Sequence, residues 1–450
     1  MSVERRVLVA AILGSFVAFL DMSVVNVALP AIRASLGGGI ATQQWIVDAY
    51  LLTLSAFILI AGSLSDLFGR KRVFVGGLLA FGLTSLLCAL APGTKFLVAA
   101  RGLQGMAGAL LVPSSLAMIM AAFRGGDQEH KADHAIGIWT AWTGISFIIG
   151  PLLGGALVAV DWRWVFAINV APIVVTLLVV APLPKENQPS TERLVDVRGA
   201  VLCVLGLGGL TFGLIEQPMA GWSAPVVFIP FLCGVALWTA FLLWERVATS
   251  PMLDFDLFRK RNFAVGNLAT LAIYAGLSAA TFMLTIFLQQ VAGYAPFAAG
   301  LALLPVTLLM CFLSPWCARL SERHGPRRFM AIGPMVAGAG LWLLGRMGGH
   351  PDYARDVLPG VLVFGLGLAA TVAPLTAAVL GAVEQHHAGV GSAVNNAVAR
   401  VAGLLAIAAI GARPFGSAMS VMAALLWIGG AISAFGIEDP ARPGRGRSIP

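Results

Sequence analysis

Residues 62–72 read Gly62-Ser-Leu64-Ser-Asp66-Leu-Phe-Gly69-Arg70-Lys71-Arg72, between two long apolar stretches. A carboxylate and three cations this close together have no place in a hydrocarbon core. They belong at a membrane edge, where a short turn joins two spans and charge meets water. The segment recurs without a gap 256 positions later as Ala318-Arg-Leu-Ser-Glu322-Arg-His-Gly325-Pro-Arg327-Arg328. Asp66 aligns with Glu322, Gly69 with Gly325, and Lys71-Arg72 with Arg327-Arg328. A charged hairpin repeated in a very apolar chain implies two similar membrane halves.

Composition supports the same reading. The 450 residues are 58% hydrophobic and 11% charged, against about 25% charged in soluble domains. Apolar runs of about eighteen or more residues follow one another, which is the mark of spanning segments. Backbone polar groups cannot be left unpaired in lipid, so the spans are expected to be helices. The short alternating segments of a β-barrel are absent. The net charge of +8 could suggest nucleic acid, but the cations collect at span ends and not on one face of a soluble domain. The five cysteines lie in apolar runs and show no CxxC or Cys/His metal spacing, so reduced thiols and no metal or cofactor are expected.

The pattern predicts fourteen spans, roughly 7–29, 44–65, 73–91, 96–122, 135–160, 163–182, 198–216, 224–244, 263–290, 297–318, 328–346, 355–380, 391–411 and 417–436. Polar stretches at 183–197 and 245–262 divide them six, two and six. The expected organisation is an amino-terminal six-helix bundle (1–182), a linker with two extra helices (183–262), and a carboxy-terminal six-helix bundle with a basic tail (263–450). With both termini in the cytoplasm, Lys and Arg favour the inner loops by roughly three to one. That predicts a multi-pass protein of a bacterial inner membrane.

Few ionisable residues fall inside the expected spans: Asp21, Asp48, Arg101, Glu216 and Arg400. Such residues usually face a cavity or a partner. A carboxylate in a low-dielectric cavity can take and release a proton at working pH, which makes Asp21 and Asp48 candidate proton carriers. The competing readings are a permanently hydrogen-bonded Asp21 and an Asp48 that stabilises a helix start. Arg101, Gln104, Gly105 and Gly108 share one helix face. That face offers a cation, an amide and bare backbone for close helix approach; the alternative is an Arg101 that snorkels to the headgroups. Gly144, Gly150, Pro151, Gly154 and Gly155 predict a kinked, closely packed helix that could act as a pivot. Arg400 could pair with a neighbouring helix or touch a ligand. No Walker A sequence occurs, which argues against drive by ATP.

At these residues the chain resembles the major facilitator superfamily, and within it the drug:proton antiporters of fourteen spans. Gly62 through Arg72 is similar to the family's loop between the second and third helices. Leu20-Asp21 through Pro30, Arg101 through Ala109 and Gly144 through Gly155 are similar to its first-, fourth- and fifth-helix motifs, and Trp162 through Asn169 to the start of helix six. One departure is the connection between the last two helices, here only about Ala412 to Gly416.

The resemblance implies a proton-coupled antiporter, not an enzyme, that exports lipophilic or amphipathic compounds by alternating access. It implies a cytoplasmic latch formed by Gly62, Asp66, Gly69, Arg70, Lys71 and Arg72. It implies proton coupling through Asp21, Asp48 and Arg101, and an antiporter helix carrying Gly144, Gly150, Pro151, Gly154 and Gly155. Candidates for the substrate cavity are Asn26, Tyr50, Gln104, Gln289, Gln290 and Asn395. The expected partners are a small lipophilic substrate, protons and membrane lipid, with no nucleic acid, and the protein is expected to be a monomer. The rival readings are a dedicated exporter of one metabolite, siderophore or lipid precursor and, more remotely, a non-transporting sensor or membrane enzyme.

Overall fold

The computed structural model describes residues 2–123, 129–184, 196–249, 251–253, 255–383, 388–411 and 413–439. The centre of the 183–197 linker, the basic tail and the side chains of Gly62, Asp66, Gly144 and Glu322 lie outside the described residues.

The described secondary structure is helical: α1 (Val3–Leu36), α2 (Ile40–Phe68), α3 (Arg70–Ala89), α4 (Thr94–Ala122), α5 (Glu129–Val158), α6 (Trp164–Ala167), α7 (Val170–Val180), α8 (Val197–Ala220), α9 (Pro225–Glu245), α10 (Arg261–Gln290), α11 (Pro296–His324), α12 (Pro326–Leu344), α13 (Leu358–Gly381), α14 (Ala388–Ile410) and α15 (Phe415–Gly436). Each of the fourteen expected stretches falls on helix, the sixth on α6 and α7 together. Among the described residues, ten helices are long and apolar enough to cross a membrane. By that measure ten of the fourteen expected crossings are supported.

The repeat that opens the sequence is a repeat in the fold. Gly69 and Gly325 separate α2 from α3 and α11 from α12, with φ of +87° and +89°. That left-handed turn reverses the chain in one residue and favours glycine. The cations that follow do equivalent work. Lys71 donates its Nζ to the backbone carbonyls of Ala181 and Leu183, just past α7. Its counterpart Arg327 donates Nε to the carbonyl of Ala434 in α15, at 2.6 Å. Each charged turn therefore closes its own half by capping orphan carbonyls at that half's last helix. In the second half, the Arg327 amide also donates to Asp439 Oδ1 at 3.1 Å, and Arg261 pairs with Glu438 at 2.6 Å.

The first half is α1–α7 and the second α10–α15; α8 and α9 stand between them in sequence and lie against the molecule's side. These two pack through glycines. A Cβ at Gly206 would stand 2.7 Å from the backbone nitrogen of Trp238, and one at Gly213 2.6 Å from Phe231 Cβ. Of the two, α8 reaches both halves. Trp45 of α2 donates its indole Nε1 to Glu216 at 3.1 Å, and Gly411, just past α14, meets Pro218.

The halves meet most closely where α1 turns into α2. Arg33 donates to Gln290 Oε1 at 2.8 Å, Gln289 to the Val27 carbonyl at 3.0 Å, and Gln44 to the Ile407 carbonyl. α5 and α11 touch there with no side chain between them. A Cβ on Gly300 would stand 2.5 Å from the Pro151 carbonyl, and one on Gly155 2.9 Å from that of Pro296. The helix expected to act as a pivot is thus in direct backbone contact with the other half. Gly150 and Gly154 of the same helix lie against Ser23 and Val24 of α1.

Candidate functional site

Asp21 and Arg101 form the polar centre of the first half. Arg101 Nη1 meets Asp21 Oδ2 at 2.5 Å, and Asp21 and Arg101 are 0% and 1% exposed. Asp21 Oδ1 accepts two further bonds, from Gln104 Nε2 at 3.0 Å and Asn169 Nδ2 at 2.9 Å. Both amides also donate to Ser85 Oγ, at 2.8 and 3.3 Å. Arg101 donates in addition to Gln104 Oε1 at 2.6 Å and to the Ile46 carbonyl at 3.1 Å. The Tyr50 ring covers its guanidinium, 4.2 Å from ring centroid to carbon. The cluster joins α1, α2, α3, α4 and the α6–α7 junction.

A buried charge persists only when it is paired and its remaining groups are bonded. Both conditions hold at Asp21, which matches the alternative expectation of a permanently hydrogen-bonded Asp21. Snorkelling by Arg101 is excluded by its burial. The motif's glycines admit α2: a Cβ at Gly105 would strike the Tyr50 backbone, and one at Gly108 would stand 2.9 Å from the Tyr50 hydroxyl.

Asp48 is the opposite case. It does not start a helix; α2 begins at Ile40, two turns earlier. It is 0% exposed, and neither carboxyl oxygen has a hydrogen-bond partner. Its helix face carries Trp45 and Leu52, at i−3 and i+4. Trp45 packs against Phe212 of α8, ring centroids 5.8 Å apart and tilted by 54°, and Leu52 stands 3.7 Å from the Cβ position of Gly208. That antiparallel register sets Asp48 opposite Thr211, itself 0% exposed with an unpartnered hydroxyl. Gln44, one turn earlier, bonds α14. Asp48 therefore sits where α2, α8 and α14 converge, between the halves.

A narrow cleft, closed down to a water-sized gap in this structure, also lies between the halves, lined by Phe19, Met22, Tyr50, Val112, Asn396 and Arg400 among others. Of the six cavity candidates, Tyr50 lines it. Gln104 is committed to Asp21. Gln289 and Gln290 tie the halves together at the α1–α2 end. Asn26 donates to the Met22 carbonyl of its own helix at 3.2 Å. Asn395 turns to α10, donating to Asn267 Oδ1 at 3.1 Å and Thr270 Oγ1 at 2.9 Å, and its neighbour Asn396 faces the cleft instead. A step of one residue turns a helix by about 100°, so adjacent asparagines cannot serve one face.

Sequence reasoning missed Ser85 and Asn169 as members of the Asp21 cluster. Asn169 stands in a stretch already singled out on either side of Trp164, so its inclusion there was the one available signal. Of the latch residues, Lys71 works within its own half, and Asp66 lies outside the described side chains. The cysteines are free; Cys88, Cys203 and Cys317 are buried, Cys233 and Cys311 exposed on the helices' outer faces.

A family model described as Major Facilitator Superfamily matches residues 11–407. Among curated proteins, the chain is 35% identical over 410 residues to the multidrug resistance protein Stp of Mycobacterium tuberculosis, covering 90% of this chain and 74% of that one. It is 32% identical over 447 residues to the methylenomycin A resistance protein of Streptomyces coelicolor, covering 97% and 92%. In backbone it is similar to an auto-inhibited POT-family peptide transporter, with a TM-score of 0.71 at 16% identity over 98% of this chain and 99% of that one. That last identity speaks to fold alone.

Proposed function

Because this chain belongs to the Major Facilitator Superfamily, we propose that it is a proton-coupled antiporter that exports lipophilic or amphipathic compounds across a bacterial inner membrane. The two halves rock about the α5–α11 contact and open the central cleft to each side in turn. The reading includes fourteen spans, cytoplasmic termini and a working monomer. With that orientation, the closed α1–α2 end faces outward.

The observation that carries the coupling is the unsatisfied carboxyl of Asp48. A buried carboxylate without a protein donor favours its neutral form over its ionised one. In this reading Asp48 is the group that takes up the proton, and rocking of α14 against α2 opens a path for its release. Asp21 and Arg101 act with it as a fixed ion pair that keeps α1, α2 and α4 in register. One charge moved across about 100 mV supplies about 2.3 kcal/mol, so the membrane potential is a sufficient drive.

The test uses everted vesicles, a fluorescent lipophilic dye and an imposed proton gradient. Wild type should accumulate dye only when the gradient is present. Asp48→Asn should abolish gradient-driven uptake while dye-for-dye exchange across the same vesicles persists. Wild-type uptake by Asp48→Asn would remove Asp48 from the coupling scheme. A second reading, a dedicated exporter of one compound, is supported by the relative named for resistance to a single antibiotic. A susceptibility panel separates the two: protection against one compound class favours the dedicated exporter.

A further inference from the structure

The cations that the two halves carry within their spans, Arg101 buried and Arg400 half-buried, differ in how they are balanced. Arg101 has Asp21. Arg400, on α14, has no ion pair among the described residues. Its Nη1 points across the interface to the Met22 thioether at 3.0 Å, and its guanidinium carbon lies 5.6 Å from the centre of the Phe19 ring. Sulfur in a thioether is a weak acceptor and a phenyl face a weak counter-charge. Among the described residues this half-buried guanidinium lacks the carboxylate that would normally accompany it within a span.

Beside it stands a second unused donor. Tyr50 is 1% exposed, and its hydroxyl has no hydrogen-bond partner. It lines the same cleft as Arg400 and Asn396, and among the described residues no carboxylate lines that cleft. The rest of the wall is apolar, with Leu54, Ile58 and Val112. Three polar groups that can donate therefore converge on an otherwise greasy space, one of them carrying an uncompensated positive charge.

We propose that this cleft binds amphipathic organic anions, an apolar body bearing a carboxylate or an ionised phenol. Arg400 takes the anionic group through its paired N–H donors, and the Tyr50 hydroxyl gives a further hydrogen bond. The guanidinium fork matches a carboxylate in geometry, and charge-assisted bonds are the strong ones. Phe19 and Met22 pack the apolar body. A cationic compound would meet like charge in a low-dielectric cleft with nothing to offset it. That such anions are the exported cargo rests on the export reading; that they bind does not.

The experiment measures binding to the purified full-length protein by fluorescence anisotropy. The probes are fluorescein (anionic), rhodamine 6G (a cationic ester of the same ring system) and Nile red (neutral). Fluorescein should bind wild type more tightly than rhodamine 6G does. Arg400→Gln should weaken fluorescein at least about tenfold, the loss expected for one charge-assisted bond. It should leave Nile red unchanged and not weaken rhodamine 6G. Arg400→Lys, which keeps the charge without the fork, should fall between, and Tyr50→Phe should weaken fluorescein alone by a few-fold. These two milder variants decide the matter if Arg400→Gln does not fold. Tighter binding of rhodamine 6G than fluorescein to wild type, or an equal loss of all three probes in the variants, overturns the proposal. Dye flux in everted vesicles separates the two readings. Arg400-dependent fluorescein binding with no flux of any dye removes the export reading and leaves the anion site. Flux that ignores both dye charge and Arg400 removes the anion site and leaves export.

Discussion

The Asp21–Arg101 pair permits a worked double-mutant cycle. Take Asp21→Ala, Arg101→Met and the two combined. Removing one partner of a buried pair costs about 3–5 kcal/mol, because the other charge is stranded. Here the stranding is incomplete on both sides. After Asp21→Ala, Arg101 keeps Gln104 Oε1, the Ile46 carbonyl and the Tyr50 ring. After Arg101→Met, Asp21 keeps the amides of Gln104 and Asn169. Each single variant is therefore expected at the low end, about 3 kcal/mol. The double variant leaves no buried charge, so it should be destabilised no more than either single one. The coupling energy should therefore be at least about 3 kcal/mol in magnitude. The assay is unfolding in mixed micelles titrated with SDS, followed by tryptophan fluorescence. Additive losses, with the double variant falling by the sum of the singles, would refute the claim that these two charges sustain one another.

Two further expectations follow from the packing. Gly300→Leu must push α11 off α5, since even a Cβ there lies 2.5 Å from the Pro151 carbonyl; spin labels at positions 35 and 293 should move apart by several ångströms and turnover should fall. Unchanged label distances would mean that the α5–α11 contact does not set the closure. Lys71→Gln should raise amide exchange just past α7 without affecting α15, and Arg327→Gln the reverse, each by about 0.5–1.5 kcal/mol of local stability. Exchange that rises at both ends in either variant would show that the two turns are linked across the halves and do not close each half separately.

What the sequence revealed and what it hid follow from the range of the interactions involved. The repeat at residues 62–72 and 318–328 was legible because it is local: a turn, its glycine and its cations lie within eleven residues. The shared face of Arg101, Gln104, Gly105 and Gly108 was legible for the same reason, as helical spacing needs no partner. Which groups satisfy Asp21 was not, because Ser85 and Asn169 come from other helices and only packing brings them in. The choice between Asn395 and Asn396 turned on helix rotation, which apolar periodicity cannot resolve in a helix with neighbours on several sides. Asp21 and Asp48 looked alike as intramembrane acids and differ in the fold by their donors alone.

That difference bears on the role of the extra pair of helices. α9 packs on α8 and is otherwise turned outward, with its apolar window only 17% buried. α8 touches α2 through Trp45 and Leu52, and Gly411 just past α14 through Pro218. It therefore covers the seam where Asp48 lies and supplies Thr211 opposite it. Without α8, that stretch of α2 would face lipid, where an acid has neither a proton path nor a partner. With α8 in place, the acid stands in a protein-lined junction whose third wall, α14, belongs to the second half. α14 also carries Arg400 to the central cleft, so one helix reaches both the junction beside Asp48 and the guanidinium of the proposed anion site. Displacement of α14 would change the surroundings of both at once, which is the physical requirement for exchanging a proton against a bound anion.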